Sequence, residues 1–535
     1  MSGRGLKTVI VIFAVVAVAS SAIAVTQYNR ARSRDSSNRE LAGRLDAAKD
    51  RISELEQDNE RESDPLEGLL GELGDGSGGL GDLFGGGELG DLLGGDSSGL
   101  IDCLTGGATG SDGSDPLGGL FGDIAGGGSG DPQDALDGLF GGLGSDSASA
   151  PARSQIPKIS KAVEDVRKLR FRERVTVRFM PPERLAKRAA RLFLEDYTAR
   201  MARTEQRMLT AMGAIPRGTD LRATAKELLE SQVAGFYVPE SKKLFVPGAP
   251  NEPMTAIEKT IIAHELQHAL ADERLELPLP EVPDESEIDE HLAALSLVEG
   301  DASLTMQRYS LAAIPVFEQL TMLSDPAYTA SQQALEGIPS YLVEQLQFPY
   351  VNGMNFVCEL HKRGGWAAVD RAYEDPPSTS AQVLFPARYR RGEVAAATRP
   401  AGSPGGGWNE SLGASFGAAN LLWLFKAPGT DETAALSEPV DRVSAWGGGR
   451  VRMWERGQDT ALAVTLVQRR DTTGLCDSVA QWYDAAFDDD SSAPTRTNEK
   501  LALDGGIQDA VLWCSGHEVR LGIGPDLGTA RAVID

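Results

Sequence analysis

Between Thr260 and Leu270 the apolar residues Ile261, Ile262, Ala263, Leu266, Ala269 and Leu270 fall at the spacing of a buried helix. Thr255 and Glu258 make a Thr-x-x-Glu capping box that starts it, and Pro278, Pro280 and Pro283 stop it from running far past Arg274. Just upstream, 235–238 and 243–246 flank Pro239-Glu240-Ser241-Lys242, which predicts a hairpin. Downstream, Asp284 to Tyr309 reads as a second long helix, with Asp284 as N-cap, Glu287 three residues on, and Leu292, Leu295, Ala302 and Met306 on one apolar face. Lys158 to Arg172 is a basic amphipathic stretch, and Val175 to Phe179 alternates as a strand. Further helices are expected over 183–212, 220–233, 314–324, 328–346, 350–373 and 411–426, and strands over 450–455, 461–468, 510–515 and 518–523. The pattern predicts an α+β protein: a mainly helical domain with a small sheet over 155–400, then an α+β region over 401–535 that is either a separate domain or part of the same fold.

The first of these helices carries His264-Glu265-Leu266-Gln267-His268. Histidines four apart lie one above the other on a helix face, so both rings can reach one metal ion. Glu265 points about 100° away around the helix, toward where a metal-activated water would sit. This is the HExxH arrangement of zinc metallopeptidases. A zinc site needs a third ligand, and Glu299 lies on the apolar face of the second helix, where a lone carboxylate is costly unless a cation satisfies it. The 31 residues from His268 to Glu299 suffice for a helix to end and an antiparallel helix to return. His291 is the rival ligand; Glu285, Glu287, Asp289 and Glu290 mark its surroundings as polar and solvated, which favours Glu299.

With Val298-Glu299-Gly300-Asp301-Ala302 following the HExxH helix, the chain resembles the gluzincin class of zinc peptidases. More narrowly, it is similar to a group of little-characterised bacterial metallopeptidases that carry HExxH followed by Glu-Gly-Asp-Ala. Gly235-Phe236-Tyr237, Gly364-Gly365-Trp366, Pro376-Pro377-Ser378-Thr379 and Trp446-Gly447-Gly448 extend the likeness over roughly residues 155–535. The resemblance implies a zincin-like catalytic domain whose fold 401–535 completes, with one Zn2+ held by His264, His268 and Glu299, and Glu265 as the catalytic base. Two departures stand out. Where the group tends to carry a glutamate and a histidine after the double proline, this chain has Ala381 and Phe385, and where it often has an aspartate after Trp446 and two glycines, this chain has Gly449.

Three protein ligands leave a fourth position for water, whose pKa zinc lowers toward about 7. Glu265 would take the proton during attack on a peptide carbonyl and return it to the leaving amine. Asp301 could orient a histidine ligand by accepting its other N–H, or be a solvated helix carboxylate. Arg308, Tyr309 and Tyr389 are candidate donors to the tetrahedral oxyanion.

Composition changes the picture mainly at the N-terminus. Residues 8–25 carry no charge and are just long enough to span a bilayer. Arg4 and Lys7 precede them, Ala22-Ile23-Ala24 offers a cleavage site, and Arg30, Arg32 and Arg34 resist translocation. The expectation, after a short segment 1–7, is a single-pass anchor in the cell membrane with the bulk outside the cytoplasm, or a secreted protein if the segment is cleaved. Leu41, Leu45, Ala48, Ile52 and Leu55 sketch a short coiled-coil stalk over 26–63 or a charged amphipathic helix beside the membrane. Over 64–150 there are 29 glycines and 16 acidic residues with no lysine or arginine, so most of the net charge of −26 belongs to a disordered tether, taken as 64–154. It repeats variants of Leu-Gly-Asp-Leu-Phe-Gly-Gly, a basis for weak self-association through stalk or tether. An acidic tether and the lack of a basic aromatic groove argue against nucleic acid as a partner; the expected partner is a peptide or protein substrate. Of the four cysteines, Cys476 and Cys514 could pair, consistent with an oxidising compartment. His361 and His517 read as ordinary surface or satisfied histidines. Two other functions use the same residues: a non-catalytic peptidase-like scaffold, and a zinc amidase acting on cell-wall peptides.

Overall fold

The helix that carries the two histidines forms where its capping box places it. Thr255 Oγ1 accepts from the Glu258 backbone N–H at 3.2 Å, and Glu258 Oε2 accepts from the Thr255 backbone N–H at 2.8 Å. The computed structural model describes residues 150–279, 287–315, 318–319, 322, 325–487, 495–497, 500–504 and 508–535. The segments 1–7 and 8–25, the stalk 26–63 and nearly all of the tether, with the self-association expected of them, lie outside the described residues. Among the described residues no helix is long and apolar enough to cross a membrane.

The protein is α+β, with two sheets. The order begins α1 (Ala152–Arg167), β1 (Thr176–Met180), α2 (Pro182–Asp196), α3 (Ala199–Ala211), α4 (Leu221–Gln232), β2 (Phe236–Val238) and β3 (Lys243–Pro247). The histidine helix α5 (Ala256–Arg274) and the Glu299 helix α6 (Ile288–Ala313) follow, then α7 (Pro326–Ala334), α8 (Ser340–Glu374), α9 (Ser380–Leu384) and α10 (Pro386–Arg390). The remainder is β4 (Asn409–Ser415), α11 (Ala418–Lys426), α12 (Pro439–Val443), β5 (Trp446–Arg456), β6 (Asp459–Gln468), α13 (Leu475–Phe487), β7 (Thr495–Thr497), β8 (Lys500–Asp504), β9 (Asp509–Ser515), β10 (Glu518–Gly524) and α14 (Leu527–Ala532).

Several expected boundaries move. The tether expectation to residue 154 overlaps α1, because the Ala152 and Arg153 N–H groups donate to Glu252 O and Pro250 O, and Ile159 and Val163 are buried. The helix expected over 183–212 is two helices, broken where Thr198 caps α3 by accepting from the Met201 N–H. The second long helix starts at Ile288, with Glu287 at its N-cap position making no side-chain cap bond; the expected cap Asp284 lies outside the described residues. Most of 314–324 also lies outside them. Residues 411–415, expected as helix, belong to β4, where they pair antiparallel with β5; the helix begins only after Gly417.

The small sheet has the order β1-β3-β2, with β1 parallel and β2 antiparallel to β3. Its buried Leu244 and Val246 pack with Ile262, Leu266 and Leu270 of α5 and with Ile159 and Val163 of α1. From Ala256 to Ala271 every α5 residue but Glu258 is buried, polar side chains included. The buried surface of α6 differs from the expected stripe, since Leu297, Val298 and Leu304 join Ala302 and Met306 while Leu292 and Leu295 are only half-buried. Helix α6 meets α8 at unusual proximity. A Cβ on Gly300 would stand 2.2 Å from the Gly353 carbonyl carbon and oxygen, and a Cβ on Gly353 would stand 2.1 Å from Ser296 O. Only glycine permits that crossing.

The second sheet runs β4-β5-β6-β10-β9-β8-β7, antiparallel throughout, with α14 packed on Trp454, Ala461, Ala463 and Val511. It is joined to the helices by Asp289 N–H donating to Ser415 Oγ and by Arg388 donating to the Ser444 and Trp446 carbonyls. At Gly449, a Cβ would lie 2.3 Å from Phe416 O. No aspartate fits there on this backbone, which gives that departure a packing cause. Cys476 and Cys514 form a disulfide between α13 and β9. Cys358 on α8 is disulfide-bonded as well, its partner lying outside the described residues.

Candidate metal centre

His264 and His268 lie one turn apart on α5 and turn their Nε2 atoms toward each other and toward Glu299 of α6. The His264 and His268 Nε2 atoms are 3.1 Å apart, and Glu299 Oε2 is 3.1 Å from the first and 3.3 Å from the second. All three side chains are buried, at 2 % exposure or less. They are the single group of three or more potential metal-ligating residues among the described residues. Two imidazole nitrogens and a carboxylate oxygen in mutual contact can share one cation. His291 does not join them; it is half-buried rather than solvated, and its Nδ1 has no hydrogen-bond partner.

The electrostatics follow from burial. Burial opposes the charge on Glu299, but the two histidines outweigh it and hold the carboxyl below its ordinary range. Burial depresses His264, whereas at His268 the Glu299 charge overcomes burial and raises the pKa. Glu265 is fully buried, and neither of its oxygens accepts a hydrogen bond of normal geometry. Burial, helped by the nearby Glu299 charge, pushes it up to about 8 against the opposing pull of His268 and of a poorly aligned hydrogen bond from the Tyr237 backbone N–H. The chain leading into β2 passes directly over it, since a Cβ on Gly235 would come within 3.3 Å of Glu265 Cγ.

The remaining candidates are placed elsewhere. Neither histidine Nδ1 has a hydrogen-bond partner, so Asp301 does not orient a ligand ring. Nor is it solvated: it is wholly buried and accepts from Arg167 Nε at 2.9 Å, Gln267 Nε2 at 2.9 Å and Tyr373 OH at 2.9 Å. Arg308 lies 3.2 Å from His361 Nε2 and over the Trp366 ring. Tyr309 is ten residues beyond Glu299, about 15 Å along the helix, and packs in the core with Ile262 and Leu266. Tyr389 donates to Asp375 O at 2.7 Å. None of these three is gathered at the triad. Tyr350 of α8 was missed by the sequence argument; its ring stacks on His264 with centroids 6.1 Å apart. Nothing in its local pattern announces it, because its approach depends on the Gly300–Gly353 crossing. Gln267 stood inside the motif, but at a position that HExxH leaves free.

No protein-family model, curated protein or solved structure matches the chain.

Proposed function

We propose that this protein is a zinc-dependent peptidase, tethered to the membrane by residues 8–25, that hydrolyses peptide bonds in peptides or proteins outside the cytoplasm. The observation that carries the proposal is Glu265. A fully buried carboxylate with no well-formed hydrogen bond to either oxygen opposes folding by several kcal/mol in general. A scaffold with a structural or absent metal has no use for it, whereas a hydrolase needs a base beside its metal.

The triad is compatible with zinc. Ligands about 2.0–2.1 Å from a tetrahedral zinc lie about 3.3 Å from one another, against the 3.1–3.3 Å found here. His264, His268 and Glu299 would hold the ion. When bound, zinc would supply Lewis acidity toward a carbonyl and a lowered pKa for water. Glu265, flanking the histidine pair, would take the proton of the attacking water and carry it to the departing amine nitrogen. A cation beside it would return the carboxyl to its charged, basic form, against the burial that otherwise holds its proton. Strand β2 is an edge of the small sheet next to Glu265, so an extended peptide could add to it as a further strand. Ala381 is buried within α9, and Phe385 lies beneath the Arg388 guanidinium, 5.4 Å from ring centroid to Cζ. Those departures therefore alter packing near α9 and leave the triad complete.

Exposure of the full-length protein to a mixed peptide library, before and after chelation, tests the reading. Cleavage should cease on chelation and return with added zinc. Zinc-loaded, folded protein that cuts no peptide would overturn it.

A further inference from the structure

The Glu-Gly-Asp-Ala and Gly-Gly-Trp segments converge on one buried polar cluster that the hydrolytic chemistry does not use. Successive residues on a helix are about 100° apart, so Glu299 and Asp301 stand about 200° apart around α6. They straddle its line of contact with α5. Glu299 reaches the histidines on one side, and Asp301 reaches Gln267 of the same helix on the other. Gly300, between them, faces α8. On α5, Gln267 and Glu265 similarly flank the histidine pair, each about 80° from its midline.

Asp301 is itself held by three donors. Arg167, the last residue of α1, is fully buried and gives Nε to both Asp301 oxygens, at 2.9 and 3.1 Å, and Nη2 to Asp370 at 2.7 Å. Tyr373 donates its hydroxyl to Asp301 Oδ2. The break in α8 at Gly364 and Gly365, whose φ is +60°, brings Trp366 under the Arg167 guanidinium at 4.4 Å. Four helices thus contribute to a polar cluster in which Gln267 is the member on the histidine helix.

We infer that Gln267 is a positioning residue for the metal triad: its bond to Asp301 is the second pin that fixes the rotation of α5 against α6, opposite the ligands. This rests on the metal-site reading above. Ligand geometry is sensitive to such rotation, because a turn of about 10° moves a carboxylate about 6 Å from a helix axis by about 1 Å.

The test uses full-length protein: wild type, Gln267→Leu and Tyr373→Phe, with His268→Ala as the control lacking a ligand. Zinc affinity is measured by competition with a chromophoric chelator, and melting is recorded on the same proteins stripped of metal. Gln267→Leu should bind zinc more weakly, by more than about twofold, while its metal-free melting stays within a few degrees of wild type. Tyr373→Phe, which loosens Asp301 without touching either ligand helix's own pin, should weaken binding in the same direction and by less. Should Gln267→Leu fail to fold, Tyr373→Phe decides: weaker zinc binding with unchanged metal-free melting supports the inference. Affinities within twofold of wild type in the folded variants overturn it while leaving the metal site standing. Absence of tight zinc binding by wild type takes down the site and this inference together.

Discussion

Adding one methyl group at Gly300 should disturb both the fold and the ligand frame. The Cβ would stand 2.2 Å from the Gly353 carbonyl atoms, whereas ordinary van der Waals contact begins at 3.4 Å, so α6 and α8 must part by roughly 1.2 Å. Overpacking of this kind costs about 1–3 kcal/mol, and the upper end applies because backbone, not a flexible side chain, must move. Alanine recovers about 1 kcal/mol of helix propensity. The net expectation for Gly300→Ala is a loss of about 2 kcal/mol, read as a shift in the urea unfolding midpoint at unchanged slope. Since Glu299 is the adjacent residue, zinc affinity by chelator competition should also fall, by more than about twofold. A Gly300→Ala protein as stable as wild type, with unchanged zinc affinity, would refute the argument that this crossing positions the ligand.

Asp289 offers a pH test away from the metal. Burial, against hydrogen bonds from Ser380, raises its carboxyl from 3.8 to about 6. The folded state therefore holds that proton more tightly than the unfolded chain, so the group's contribution falls as pH rises from about 4 and is fully unfavourable above about 6. Asp289→Asn should gain about 2 kcal/mol on wild type between pH 4.5 and 7.5; a stability difference that stays constant with pH would show that the charge is not buried as described. The Cys476–Cys514 bridge closes a separation of 38 residues, so the double serine variant should lose about 3–4 kcal/mol; denaturation of oxidised wild type beside the variant measures it, and equal stability would contradict the estimate.

The sequence resolved α5 well because one residue pattern served three purposes at once. The capping box fixed its start, the prolines its end, and the histidine spacing its functional face. Strands β6 and β9 were visible as runs of apolar residues, and β5 and β10 as alternations through Val451 and Met453 and through Val519, Leu521 and Ile523. By contrast, 411–415 contain Leu412, Gly413 and Ala414, which suit a helix as well as an edge strand, and only pairing with β5 decides between them. The place of Glu299 in the triad was legible as a carboxylate on an apolar face. The true setting of Asp301 was not, because its partners Arg167, Gln267 and Tyr373 are separated by 134, 34 and 72 residues. Tyr350 and the Gly300–Gly353 contact depend on the same long-range assembly, which local periodicity does not encode.

The central claim is that His264, His268 and Glu299 hold a zinc ion for a reaction in which Glu265 moves the proton. Metal content and peptide cleavage measured together on full-length wild type and Glu265→Gln test it most directly, because the substitution keeps the shape of the side chain and removes its basicity. The account predicts one zinc per chain in both proteins and cleavage in wild type alone. Well-folded wild type without zinc, or a Glu265→Gln protein that cleaves as fast as wild type, would contradict it.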